Sequence, residues 1–274
     1  MTLLKEKYKM LTKSKETLFA MNFYNLETLQ GLLKAASEKN ESIILQVSPS
    51  SLDYMGINVI APMVKAAAEE FNVEVWLHLD HAKKLSTVEK ALQHGFDSIM
   101  IDGSELPINE NINITKEAVA MASWKNVPVE AELGYVAKLG QTQQAGKGFT
   151  NPEEAKRFVS ETGIDALAIA IGTAHGFYKE KPNLDFELLT KIRNILPNTV
   201  LVLHGSSGLP DEDLMKAMSL GINKINVATE FKNAFMNSLK ENICDSDEID
   251  LRKVFPKATN EVYKIAKHKL DLIQ

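Results

Sequence analysis

The sequence has a single cysteine, Cys244, among 274 residues, so no disulfide can form within the chain and a reducing cytoplasm is the expected compartment. It has no apolar stretch of the roughly 20 residues that span a bilayer, and no short apolar segment behind a basic start of the kind secretory signals carry. A membrane is therefore not an expected partner. Positive charge is not in excess either: 31 Lys and Arg against 36 Asp and Glu give a net charge of −5, which removes the electrostatic basis for holding nucleic acid or anionic lipid. No low-complexity linker divides the chain, and residues 1–274 read as one domain. What is present, 45% hydrophobic and 24% charged residues, suits a soluble protein with a large buried core.

Eight short apolar runs alternate with helical patterns: Thr17 to Phe23, Ser42 to Val47, Val73 to Asp80, Ser98 to Asp102, Val127 to Leu133, Ala166 to Ile171, Thr199 to His204 and Lys224 to Ala228. Most are continuously apolar, as strands of a parallel sheet covered on both faces are. Between them, Asn25 is placed to cap a helix over Leu26 to Ser37, and Asn151-Pro-Glu-Glu154 opens another that Gly163 closes. A helix beginning near Pro210 ends at Gly221. Eight strand-helix units favour an α/β fold of the closed (β/α)8 TIM-barrel type over an open doubly wound sheet. No G-x-G-x-x-G follows the first strand, which weighs against dinucleotide binding. Met1 to Lys15 alternates Leu and Lys like a surface helix, and additional C-terminal helices over about 230–274, including one at Ala258 to Ile273, exceed what barrel closure needs and could serve oligomer contacts.

In such a barrel the C-terminal strand ends share one face, and that face carries the site. Read in order, those ends supply Asn22, Ser48, Asp80 with His81, Asp102, Glu132, His175, His204, and Asn226 with Thr229. His81, His175 and His204 fall on strands 3, 6 and 7, and three imidazoles with an open coordination position suit a catalytic zinc ion. His94 and His268 lie on helices as surface residues, while His78 inside strand 3 suits packing or support of a ligand. His204-Gly-Ser-Ser-Gly208 and Asn226-Val-Ala-Thr-Glu230 follow strands 7 and 8, where a glycine-bearing loop and a helix N-terminus cradle phosphate. Gly-Ser-Ser-Gly alone would equally serve as a flexible turn. Metal and phosphate together imply a phosphorylated substrate whose carbonyl or hydroxyl meets the metal, with a carboxylate such as Asp80 moving protons. Aldol chemistry, isomerisation and hydrolysis all remain open on this reading.

Six segments add a resemblance: His78-Leu-Asp-His81, Ser98-Ile-Met-Ile-Asp-Gly-Ser104, Val129-Glu-Ala-Glu-Leu-Gly134, Ala168-Ile-Ala-Ile-Gly-Thr-Ala-His-Gly176, Val202-Leu-His-Gly-Ser-Ser-Gly208 and Lys224-Ile-Asn-Val-Ala-Thr-Glu230. In order and spacing they resemble the zinc-dependent class II aldolases of fructose- and tagatose-bisphosphate type. The resemblance implies a (β/α)8 barrel forming a homodimer or homotetramer. It also implies reversible cleavage of a ketose phosphate to dihydroxyacetone phosphate and an aldehyde. By the same resemblance His81, His175 and His204 are zinc ligands, Asp80 is the acid/base, and Asp102 and Glu132 offer zinc an alternative, more buried position. Gly176, Gly205, Ser207, Asn226, Ala228 and Thr229 would meet the phosphate end, with a monovalent cation (Na+ or K+) near the Gly176 and Gly205 backbones. Asn22 and Ser48 would line the substrate pocket. The chain departs from the family pattern over Tyr135 to Lys147, a shorter loop without the usual carboxylate, whose Lys138 and Lys147 are candidates for meeting an anionic far end of the substrate. Arg252, Lys253 and Lys257 are further candidates for that end. Two alternatives stand beside aldol cleavage: a catalytically weak metal- and phosphosugar-binding barrel serving as a partner subunit, and a sugar-phosphate isomerase or epimerase.

Overall fold

The computed structural model describes residues 2–14, 16–136, 148–178, 182–244 and 246–273. Each of the eight apolar runs becomes a strand: β1 (Leu18–Asn22), β2 (Ile43–Val47), β3 (Val75–Ala82), β4 (Ser98–Ile101), β5 (Val129–Leu133), β6 (Ala166–Ile169), β7 (Val200–Leu203) and β8 (Lys224–Val227). Neighbours pair in parallel and β1 pairs with β8, closing the barrel in sequence order. Helices cover the outside: α1 (Leu4–Ser14), α2 (Leu26–Lys39), α3 (Pro49–Met55), α4 (Ile57–Phe71), α5 (Leu85–Gln93), α6 (Ile108–Ser123), α7 (Pro152–Thr162), α8 (Phe186–Ile195), α9 (Asp211–Ser219), α10 (Thr229–Ile243) and α11 (Leu251–Asp271). This is the (β/α)8 barrel expected from the sequence. No helix among the described residues is long and apolar enough to cross a membrane.

The helix ends follow local chemistry. Asn25 accepts from the Thr28 backbone N–H at 2.9 Å while the Thr28 hydroxyl accepts from the Asn25 N–H, a reciprocal cap that fixes the start of α2. That helix continues past Ser37 to Lys39 and stops where Asn40 turns left-handed. In α7, Asn151 caps, Pro152 occupies the first turn and Gly163 ends the helix at φ 71°, as the sequence indicates.

Both termini depart from expectation. The first helix is not a surface element, since Leu4, Tyr8 and Leu11 are buried with Leu18, Trp76, Val200 and Val202 at the N-terminal mouth of the barrel. Their spacing places them on one helical face, with the lysines on the other. The last helix begins at Leu251, seven residues before Ala258, capped by the Asp250 carboxylate. It packs on α2 and α10 of the same chain. Gly31 permits this contact, because a Cβ there would lie 2.8 Å from the Thr259 carbonyl oxygen.

The barrel interior holds a polar layer beneath the C-terminal mouth. Lys224, wholly buried, donates to Glu130 Oε2 at 2.6 Å and lies 3.3 Å from His78 Nε2; His78 Nδ1 lies 2.5 Å from Ser98 Oγ. Buried charges persist only when paired. Lys224→Met, which leaves the Glu130 carboxylate without its cation, is expected to lower stability by about 3–5 kcal/mol, read as a fall in the denaturation midpoint. Replacing both members of the pair with neutral residues is expected to cost less than the single change.

Candidate active site

The site begins with an irregularity in β3. Adjacent residues on a regular strand face opposite ways, so Asp80 and His81 cannot both point into the mouth without a break. The pairing of β3 with β4 shifts register between Leu79 and Ala82, and His81 takes φ 51°. This bulge extends β3 two residues past the expected Asp80 and turns both side chains to the same mouth.

Asp80 is 6% exposed and accepts from Asn22 Nδ2 at 3.2 Å and Asn226 Nδ2 at 3.4 Å. Gln46 Nε2 donates to Asn22 Oδ1 at 2.7 Å and thereby orients the Asn22 amide toward the carboxylate. Burial alone would raise the Asp80 pKa, but the nearby imidazoles of His81, His204 and His78 and the Lys224 ammonium hold it below its ordinary value. Asp80 is thus presented as an ionised acceptor.

His81, His175 and His204 converge, with ring centroids 4.6 to 6.0 Å apart and one nitrogen of each within 4.8 Å of the others. His81, Asp102 and Glu132 form a second such group. Asp102 Oδ2 lies 3.0 Å from His81 Nδ1, and its Oδ1 accepts from the Ser104 hydroxyl at 2.6 Å. Burial alone would lower the His81 pKa, yet Asp80, Asp102 and Glu132 push it up to about 10. The pocket therefore draws a cation. His175 is held at about 3 by burial and by its two histidine neighbours, which leaves its lone pair available as a ligand. The Tyr178 hydroxyl accepts from the Ala174 N–H at 2.8 Å and donates to the Gly205 carbonyl at 2.6 Å, tying the loop of His175 to that of His204.

The donor set can be tested for a metal on its own geometry. His204 Nδ1 and Glu132 Oε2 are buried 3.4 Å apart, and neither has a hydrogen-bond partner. The other His204 nitrogen lies 2.9 Å from the Glu130 carboxylate, so Nδ1 is the nitrogen turned to Glu132. A polar pair buried without hydrogen bonds is unfavourable, and a cation close to both atoms would satisfy it. The residues present fit a divalent ion.

Beside the histidines, Ser207 Oγ accepts from the backbone N–H groups of Ala228, Thr229 and Glu230 at 3.1 to 3.4 Å. Three donors converging at the N-terminus of the fifteen-residue α10 form an anion cradle. Gly205 (φ 66°) allows the loop to approach closely, since a Cβ there would meet the Ala174 carbonyl oxygen at 2.6 Å. Asn22, Gly176, Gly205, Ser207, Asn226, Ala228 and Thr229 line one cleft with Asp80, His81 and His175. Ser48 lies outside that lining, hydrogen-bonded to Ser50 and Ser51 at the start of α3. Arg252 and Lys253 pair with Asp250 and Glu248 of their own chain. Residues 137–147, including Lys138 and Lys147, lie outside the described residues. A larger cavity of about 1120 Å³ opens near α2 and α4, lined by residues such as Ala68 and Val75. No converging ligand set lines it among the described residues, so size does not locate the site.

Sequence reading missed Gln46, Glu130, Tyr178 and Lys224. For Glu130 and Lys224 a signal existed, because each stands two residues before a mouth residue, Glu132 and Asn226, and so shares its face of the strand. Tyr178 carries none, since its role depends on a loop contact.

Comparison with known proteins supplies the family. The family model described as fructose-bisphosphate aldolase class-II matches residues 3–274. The YdjI aldolase of Escherichia coli K12 is 32% identical, with 98% of this chain and 96% of that one covered and a TM-score of 0.85. A Coccidioides immitis protein provisionally described as a fructose-1,6-biphosphate aldolase is 28% identical over 97% of this chain and 94% of its own, with a TM-score of 0.87. The fructose-bisphosphate aldolase of Campylobacter jejuni, 22% identical over 98% and 93% with a TM-score of 0.83, supports the fold alone. With the family model spanning nearly the whole chain, the protein belongs to the class II fructose-bisphosphate aldolase family and is an aldol-cleaving enzyme.

Proposed function

We propose that the chain is a zinc-dependent aldolase that cleaves a ketose phosphate, of the fructose- or tagatose-1,6-bisphosphate type, to dihydroxyacetone phosphate and an aldehyde. The observation that carries this reading is the facing pair of unpartnered polar atoms, His204 Nδ1 and Glu132 Oε2, beside two further imidazoles. His81, His175 and His204 would hold the ion, with Asp102 and Glu132 offering the alternative, deeper position. When bound, a divalent ion polarises the substrate carbonyl and acidifies the neighbouring C–H.

The chain's own groups supply the rest. Asp80, ionised and held by two asparagine amides, takes the hydroxyl proton at the position that becomes the aldehyde carbonyl and returns it in the condensation direction. The N–H groups at the start of α10 bind the phosphate, and Asn226 sits between that cradle and Asp80. Backbone carbonyls of Gly176 and Gly205 suit a sodium or potassium ion; the Gly205 oxygen already accepts from Tyr178 and keeps one lone pair for it.

The test is a panel of ketose mono- and bisphosphates with release of dihydroxyacetone phosphate measured by a coupled assay. Triose phosphate is expected from at least one bisphosphate. Rearrangement of a ketose without triose release would overturn the reading in favour of isomerisation, and tight phosphosugar binding without turnover in favour of a binding subunit.

A further inference from the structure

We infer that Glu130, held by Lys224, is the positioning residue that decides which nitrogen of His204 is offered to the metal. The inference rests on the metal-dependent reading above. Glu130 does not reach the substrate cleft; it lies in the layer beneath, 1% exposed, with one oxygen 2.9 Å from His204 Nε2 and the other 2.6 Å from Lys224 Nζ.

A neutral imidazole carries one proton, and the nitrogen without it is the ligand. An ionised carboxylate can only accept, so Glu130 requires the proton on Nε2 and leaves Nδ1 bare on the side of Glu132. Asn226 Nδ2 also lies 3.1 Å from Nε2, but that amide already donates to Asp80, and the shorter, charge-assisted bond to the carboxylate outweighs a neutral contact at that distance. The carboxylate therefore dictates the tautomer. Lys224 completes the device: an ammonium has only donors, so it claims the second Glu130 oxygen and keeps the group oriented.

Glu130→Gln separates this role from packing, because the shape is kept and one acceptor becomes a donor. The single amide oxygen must turn to Lys224, and the NH2 then faces His204 Nε2 as a donor. Nε2 must accept, the proton moves to Nδ1, and the ligand lone pair is lost. Zinc affinity, measured on the full chain by competition with a chelating dye, is expected to fall by about 10- to 100-fold. In the double variant Glu130→Gln with Lys224→Met the ammonium is gone, so the amide oxygen is free to accept from His204. Its NH2 can then turn to His78 Nε2, which lies 3.8 Å from the present Glu130 oxygen. The double variant is expected to regain about tenfold in affinity over Glu130→Gln. Because removing Lys224 also relieves an unpaired buried charge, the recovery is read together with the His204 tautomer by nitrogen NMR, protonated at Nδ1 in Glu130→Gln and back at Nε2 in the double variant, a switch that a merely structural loss would not produce.

Unchanged zinc affinity in Glu130→Gln, or no recovery in the double variant, overturns the inference. Should the variants not fold, nitrogen NMR of the parent chain labelled on histidine decides: a His204 ring protonated at Nε2 is expected, and one protonated at Nδ1 overturns it. A parent that binds no zinc while showing the Nε2 tautomer would instead locate the failure in the metal-dependent reading.

Discussion

Stripping divalent ions with a chelator is expected to abolish aldol cleavage, and added zinc or cobalt to restore it at one ion per chain. Three neutral imidazoles leave a coordination position for substrate oxygens, and no lysine or arginine among the described residues lining the cleft can stand in for the ion. Lewis-acid polarisation is worth several kcal/mol of transition-state stabilisation, and each 1.4 kcal/mol is a factor of ten, so the loss should be roughly 10³-fold or more. His204→Ala should reproduce the loss by a second route, since it removes a ligand and exposes Glu132 Oε2 to its carboxylate neighbours. Full activity in metal-free protein, with a borohydride-trappable substrate adduct on a lysine, would remove the metal from the mechanism altogether.

Much of this arrangement was legible because a parallel barrel imposes two independent constraints on the sequence. Strands buried on both faces must be apolar along their length, which made the eight runs visible, and functional groups must collect at one set of strand ends, which drew attention to Asp80, His81, His175 and His204. What escaped notice depended on geometry that residue type does not specify. The adjacency of Asp80 and His81 is productive only through the bulge, and no glycine marks it; a histidine takes the left-handed conformation. Pro256, inside α11, disguised where the last helix begins, because proline usually opens a helix or ends one. The polar layer was hidden by the apolar residues that alternate with it. Yet His78, Glu130 and Lys224 each precede a mouth residue by two, so the strand alternation that fills the site also places its support directly below.

That vertical stacking bears on what Asp80→Ala should do. Asp80 is the one carboxylate in the mouth held by two neutral amides, Asn22 and Asn226, and neither of the two metal-suited groups includes it. Removing it should leave zinc content and dihydroxyacetone phosphate binding nearly intact while lowering turnover by about 10²- to 10⁴-fold, the range for a positioned acid/base group. The loss should fall on turnover and not on the Michaelis constant, because Asp80 exchanges a proton only as the carbon–carbon bond breaks or forms. Asn22 and Asn226 would each lose an acceptor, a cost softened by water entering the space the carboxylate leaves. Asp80→Asn tests the same point without that space: an amide can accept from one asparagine and must confront the other, so turnover should be as low as in Asp80→Ala. Zinc lost from both variants would instead assign Asp80 to holding the site together, whereas normal turnover in either would pass the proton to another group, with Glu132 the candidate, a buried carboxylate whose pKa burial raises.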